Sequence, residues 1–345
     1  MDFKKIKYKS LLPYLLAVIT LIIGISTQNF FFNKQHKAEK PVTITHKEFS
    51  HLNPFLNCIE DKGLNMSELK SFKSDIDSYI NNVHQKHPDV FISYYFRDLN
   101  NGMWLGINEH KKFSPASLMK VPVMISVLKE AQKNPEILNT KLLYLKSYFE
   151  IIDEESGFEK KDSAGYTVTE LLEQMIEYSD NAAALLLMKF VGMDKVAETE
   201  KDLNLAIGDD FDINTNFVKV KSYAATFRIL YNASYLNAEM SELALSYLCN
   251  SKHSGGIRAA IPTAYNVAHK YGERDVFDSK GKRQTLQLPH FGIVYYPNKP
   301  FLIGVMTRGS NKEAKEKIIR DLSRITFENV EKQAKNNKQS VDVNY

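Results

Sequence analysis

Ser117-Leu118-Met119-Lys120 places a hydroxyl nucleophile three residues ahead of an amine. At the start of a helix that spacing sets both side chains on one face. A lysine held among apolar residues and near another cation gives up its proton more readily. The free amine can then deprotonate the serine. The spacing recurs in Ser67–Lys70, Ser126–Lys129 and Ser279–Lys282. Context separates these pairs. Ser67–Lys70 lies on an amphipathic helix as a solvated pair, and Ser279–Lys282 lies in a polar loop. Ser126–Lys129 falls mid-helix, where the hydroxyl can bond back to the backbone. Ser117 alone follows a Ser-Pro-Ala turn and opens an apolar helix.

Two further triplets belong with it. Ser179-Asp180-Asn181 occurs once, in the break between two expected helices. Lys270-Tyr271-Gly272 is the one Lys-x-Gly in the chain and ends an expected strand. Singly, each reads as a turn with an N-cap and as a strand end with an exposed lysine. In this order, on a helix start, a helix break and a strand end, they read as one site.

With these residues the chain resembles the class A β-lactamases and penicillin-binding proteins, whose signature is Ser-x-x-Lys, Ser-Asp-Asn and Lys-Thr-Gly. The likeness runs from about Ser67 to Phe327. It takes in Phe113-Ser114-Pro115-Ala116 before the first motif and Val267-Ala268-His269 before the third. Gly292 to Tyr295 and Val305 to Gly309 resemble the family's last two strands, and Ser117 and Ser179 stand 62 residues apart, close to its spacing. The resemblance implies Ser117 as acyl-accepting nucleophile, Lys120 as its general base and Ser179 as proton relay to the leaving nitrogen. It implies Asn181 as a hydrogen-bond partner of a substrate amide. Lys270 would supply charge for a substrate carboxylate and help keep Lys120 neutral. The backbone N–H groups of Ser117 and Glu273 would form the oxyanion hole. Tyr271 and Gly272 complete the substrate-binding strand end, and Asp180 is structural. No metal and no cofactor is implied.

The chain departs from the family in three places. Tyr271 stands where the family has Thr or Ser, and a phenol cannot present its hydroxyl from the same place. The loop that carries the deacylating glutamate is shortened. Between Gly208 and Ser222 it holds Asp209, Asp210 and Asp212 but no glutamate. Glu155, Glu159 and Asp212 are the acids that could substitute. No arginine sits at the expected point on the following strand, where His290 and Phe291 stand; Arg274 and Arg283 are the candidate replacements.

The elements that must position these groups follow from periodicity. A helix is expected at about Ser67 to Gln85. Val90 to Arg97 and Met103 to Ile107 form a hairpin about Asn100-Asn101-Gly102. Helices are expected over Ser117 to Gln132, Thr169 to Tyr178, Ala182 to Val191 and Tyr223 to Tyr235. The second opens on a Thr167-x-x-Glu170 capping box. Strands follow at Asn266 to Tyr271, Gly292 to Tyr296 and Phe301 to Thr307, then a helix over Lys312 to Phe327. Strand groups so far apart in sequence form one antiparallel sheet with a mostly helical insertion, an α+β chain; the resemblance makes it the three-layer β-lactamase-like fold. His84 and His87 lack a nearby third ligand for a metal. Trp104 reads as a hairpin packing residue, and Tyr94, Tyr95, Tyr295 and Tyr296 as strand residues.

Composition is globular, with 43% hydrophobic and 25% charged residues in 345. Net charge is +4, yet residues 1–40 carry seven lysines against Asp2 and Glu39, or +5, which leaves −1 for the rest. The body therefore gives no electrostatic reason to expect nucleic acid. Lys4, Lys5, Lys7 and Lys9 precede an uncharged run from Ser10 to Phe32. That pattern predicts an uncleaved single-pass anchor with the following chain outside the cytoplasm, or a signal peptide cut after Gly24-Ile25-Ser26. The expected organisation is 1–32 anchor or signal segment, 33–65 polar tether, 66–328 hydrolase domain and 329–345 polar tail. Export would permit a Cys58–Cys249 disulfide; two separate thiols are the alternative. The resemblance leaves the partner as a β-lactam or a peptidoglycan-derived peptide. The chain is then a β-lactamase, a D-alanyl-peptide carboxypeptidase-like cell-wall enzyme or a non-catalytic sensor of β-lactams or peptidoglycan, and the oligomeric state is open.

Overall fold

The computed structural model describes residues 50–52, 66–146, 161–205, 218–277 and 283–342. The N-terminal segment 1–32, most of the stretch expected as a tether, Cys58, Glu155, Glu159, Asp209, Asp210, Asp212 and the Ser279–Lys282 pair lie outside them. Among the described residues no helix is long and apolar enough to cross a membrane.

The chain opens on α1 (Met66–Lys86) and the hairpin β1 (Phe91–Asp98) and β2 (Trp104–Ile107). The helical part holds α2 (Lys120–Ala131), α3 (Val168–Glu177), α4 (Asn181–Val191), α5 (Met193–Asp202), α6 (Val220–Tyr231) and α7 (Ala238–Cys249). Two short ladders support it, β3 (Lys112–Phe113) with β6 (Val218–Lys219) and β4 (Lys141–Tyr144) with β5 (Ala164–Thr167). The chain closes with α8 (Gly256–Ala260), β7 (Val267–Tyr271), β8 (Arg274–Phe277), β9 (Arg283–Val294), β10 (Phe301–Gly309) and α9 (Lys312–Asp342). The main sheet is antiparallel in the order β2-β1-β10-β9-β7, with β8 also on β9. Strand groups about 160 residues apart thus meet at the β1–β10 pair, as the sequence pattern requires.

Alternation divides the core in two. Ile303 and Val305 on β10 face a cluster with Phe72, Ile76 and Ile80 of α1 and Ile318, Ile319 and Leu322 of α9. Leu302 and Met306 face the larger helical cluster with α2, α3, α4, α6 and α7. Helices therefore cover both faces. Gly304 is required where it is, because a Cβ there would stand 2.2 Å from the Phe291 ring.

Several boundaries differ from the sequence pattern. The stretch expected as one helix from Ser117 begins as a 3₁₀ turn (Ala116–Met119) and becomes α-helix at Lys120, with Pro122 in its first turn. Helices α5 and α7 carry no clean apolar stripe, which hid them; on α5 only Val196 and Thr199 are buried. The helix expected over Tyr223 to Tyr235 runs from Val220 to Tyr231. Strand β9 starts nine residues before Gly292, across Pro289. Proline is tolerated there for a local reason. A residue's N–H and C=O point the same way across a strand, and the Pro289 carbonyl accepts from Gly272 N–H at 2.9 Å. The missing donor therefore faces the break between β7 and β8. Helix α9 continues past Phe327 to Asp342, with Val330 buried. Of the tether stretch, Ser50–Leu52 is seen packed on the fold. The Glu242 carboxylate accepts from Ser50 N at 2.8 Å and His51 N at 2.9 Å, and Leu52 is buried. Cys249 is a free thiol whose pKa burial and Glu242 push up to about 12.

Candidate active site

Ser117 and Lys120 share a face because the 3₁₀ turn eclipses positions i and i+3. The turn is held at several points. Ala116 takes φ +47, Ser114 N–H donates to Gln287 Oε1 at 3.0 Å and the Tyr223 hydroxyl donates to Leu118 O at 2.6 Å. Lys120 Nζ lies 3.3 Å from Ser117 Oγ, 3.2 Å from Ser179 Oγ and 2.7 Å from Asn181 Oδ1, and it also donates to Ser179 O. Residues 62 positions apart are thus joined by one amine.

The second motif is shaped by the junction of α3 and α4. Helix α3 begins on the expected capping box, with Thr167 Oγ1 accepting from Glu170 N and Glu170 Oε2 from Thr167 N. It ends at Glu177, and Ser179 adopts φ +61, a conformation rare outside glycine and often tied to function. Asp180 then caps α4, its Oδ1 accepting from Ala183 N at 2.6 Å. That is the structural role expected of it, and it leaves Ser179 and Asn181 turned to Lys120.

The third motif lies at the end of β7. Lys270 is 2% exposed and Lys120 6%. Burial drives Lys120 down to about 8, opposed by the charge of Asp180. Burial, then the Lys120 charge, drives Lys270 well below the ordinary lysine value. A neutral Lys120 amine has two N–H groups for Ser179 O and Asn181 Oδ1 and a lone pair for the Ser117 proton. Gly272 is a close approach: a Cβ there would stand 3.0 Å from Pro115 O and 3.1 Å from Ser117 N. The strand end, and Glu273 after it, therefore lies against the nucleophile's own backbone.

The other candidates separate from the site. Ser126 Oγ is buried without a hydrogen-bond partner, instead of bonding back to the helix, and Lys129 Nζ donates to Tyr235 O at 2.5 Å. His290 is fully buried and its pKa lies well below the usual histidine value through burial, so it supplies no cation. Arg274 heads β8, paired in register with Gln287. Tyr271 stands on the strand face opposite Lys270. Trp104 is 39% exposed, stacked on Tyr95 and covered by Lys221 Nζ at 3.8 Å. Among the described residues no group of His, Cys, Asp and Glu could hold a metal ion. Sequence reasoning missed Gln287 and Tyr223, whose contacts to residues 114 and 118 are long-range and carry no motif.

A model of the Beta-lactamase enzyme family matches residues 75–330, and the chain belongs to that family of class A β-lactamase-like serine hydrolases. It is 27% identical over 257 residues to the carbapenem-hydrolyzing β-lactamase KPC of Klebsiella oxytoca, covering 69% of this chain and 83% of that one. It is 24% identical over 328 residues to a β-lactamase of Bacillus subtilis (strain 168), covering 90% and 94%. Among solved structures, the fold matches the penicillin G acyl-enzyme complex of a PBP-A variant at TM-score 0.64 and 20% identity, over 75% of this chain and 97% of that one. It matches the TLA-1 extended spectrum β-lactamase at TM-score 0.64 and 20% identity, over 76% and 98%.

The Gly272 contact yields a direct test. Gly272→Ala places a methyl 3.0 Å from Pro115 O and 3.1 Å from Ala116 Cβ and Ser117 N, so the strand end must give by a few tenths of an ångström from Ser117. A displacement of about 1 Å can cost about 10²-fold in rate, and this smaller shift should cost roughly threefold to tenfold. Serine acylation by a penicillin should fall by about that factor, with the thermal unfolding midpoint still showing a folded protein. An unchanged acylation rate would contradict the contact.

Proposed function

We propose that this protein is an exported serine hydrolase that opens a β-lactam or a related amide through an acyl-Ser117 intermediate and releases the acyl group slowly. The observation that carries the reading is the Lys120 amine, buried and in contact with Ser117 Oγ, Ser179 Oγ and Asn181 Oδ1. The neutral amine takes the Ser117 proton as Oγ attacks the amide carbonyl. The Ser117 and Glu273 N–H groups donate to the developing oxyanion. Lys120, now an ammonium 3.2 Å from Ser179 Oγ, passes a proton through that hydroxyl to the leaving nitrogen as the C–N bond breaks. Asn181 holds a substrate amide, and Lys270 binds a substrate carboxylate, whose negative charge favours the protonated lysine against the burial that lowers it. Relatives named β-lactamases and a PBP-A variant acylated by penicillin G support a β-lactam as substrate.

Slow release follows from what stands in the loop. Class A enzymes use a loop glutamate to activate the deacylating water. Between Gly208 and Ser222 this chain has only aspartates as acids. General-base assistance is worth about 10² to 10⁴ in rate, so its loss leaves a long-lived ester. A fluorescent penicillin added to the full chain should label Ser117 in a burst of about one equivalent, then turn over slowly. Ser117→Ala should abolish the label. An adduct mapped to Ser126, or rapid linear turnover with no adduct, would overturn this sequence of events.

Export rests on the four lysines before the uncharged run at Ser10 to Phe32. The full-length chain should be found in the membrane fraction, with its C-terminus accessible to protease from outside. A mature N-terminus near Thr27 would mean a cleaved signal instead, and intact chain in the soluble cytoplasm would refute export.

A further inference from the structure

The third motif is braced from behind by a residue that no motif names. Lys270 and Gly272 face the Ser117 side of β7, and Tyr271 faces the other. The Tyr271 ring lies flat on the His253 imidazole, with centroids 4.0 Å apart and planes 8° apart. Both rings stand edge-on to His290, at 5.5 Å and 5.4 Å. His290 Nδ1 accepts from Ile257 N–H at 3.3 Å, so its proton sits on Nε2 and is given to His269 Nδ1 at 3.0 Å. Burial lowers His253 to about 4, helped by the Lys270 charge, and His269 to about 3. The box of rings is therefore uncharged near neutral pH. On its outer side the Tyr271 hydroxyl donates to Glu273 Oε2 at 3.3 Å, and Glu273 pairs with Lys312 at 2.7 Å.

His253 belongs to the loop between α7 and α8, and its neighbour Lys252 reaches the other motif. Lys252 N–H donates to Glu177 O at 2.9 Å, and its Nζ pairs with Glu177 Oε2 at 3.0 Å and lies over the Tyr178 ring at 5.5 Å. Glu177 and Tyr178 lead directly into Ser179. Two adjacent residues thus fasten the Ser179 wall and the Tyr271 wall of one cleft to a single loop. A short hydroxyl residue at 271 would offer that loop no flat surface to grip.

We propose that His253 is a positioning residue that, by stacking on Tyr271, sets the separation of the two walls and the presentation of Lys270 to the carboxylate end of the substrate. The proposal rests on the reading of Ser117 as the acylated nucleophile. It makes His253 and Tyr271 a matched pair: the flat ring matters, its nitrogens do not. It also makes the effect greatest on a carboxylate-bearing substrate, because Ser117, Lys120 and Ser179 are held by other contacts and Glu273 is held separately by the Gly272 N–H bond to Pro289 O and by its pair with Lys312.

The test compares the full chain with His253→Ala and His253→Phe. Rates of Ser117 modification are measured with a fluorescent penicillin, which acylates it and bears a carboxylate, and a fluorophosphonate, which phosphonylates it with loss of fluoride and bears none. His253→Ala should slow penicillin about tenfold and the fluorophosphonate less than about twofold, and His253→Phe should restore penicillin to within about threefold. The proposal is overturned if His253→Ala leaves penicillin unchanged, if it slows both probes alike, or if His253→Phe is as slow as the alanine variant. Wild-type protein that takes no label at Ser117 overturns the nucleophile reading and this proposal with it. A labelled wild type with an indifferent His253→Ala overturns this proposal alone.

Discussion

A lysine amine buried between two helices is costly to charge, and the geometry of the site follows from how that cost is met. Removing an ammonium from water disfavours its protonated form, and Lys120 is drawn down accordingly against the pull of Asp180. The amine stays where it is because acceptors converge on it from the turn at Ser117 and the helix break at Ser179–Asn181. The left-handed Ser179 backbone and the Asp180 cap serve that convergence. So does the packing of α2, α3 and α4 into one core.

The sheet supplies the other wall. Helix-covered on both faces, it ends at β7 in Lys270 and Gly272, and Gly272 lets the strand end touch the nucleophile's backbone. Pro289 and Gln287 of β9 help hold that register, one by accepting from Gly272 N–H and the other by accepting from Ser114 N–H. Lys270 is buried beside Lys120, and burial, then the Lys120 charge, lowers its own pKa well below the ordinary lysine value.

What the sequence disclosed was what local chemistry encodes. The three motifs stood out through residue type and order, α1 through its helical spacing, α4 as an apolar run, and β1 and β10 as stretches of strand-forming residues that the sheet buries on both faces. The capping box at Thr167 and Glu170 was legible residue by residue. What stayed hidden depends on distant neighbours. The polar first half of β9 shows strand character only through its pairing with β8 and β10. Helix α5 buries too few residues to show a stripe. His253, 18 positions from Tyr271, carries no motif and meets it only through the loop's path. Tyr271 itself was visible as a departure, but its compensation was not.

The central claim is that Lys120 acts as a neutral base because the fold buries it. The pH dependence of the second-order rate of Ser117 acylation by a penicillin, measured on the full chain, tests this most directly. Below the Lys120 pKa the amine is protonated, so the rate should rise about tenfold per pH unit and then level off. The inflection should fall at about 8, the value to which burial lowers Lys120. A rate still climbing at the ordinary lysine value, or one independent of pH through this range, would contradict the account.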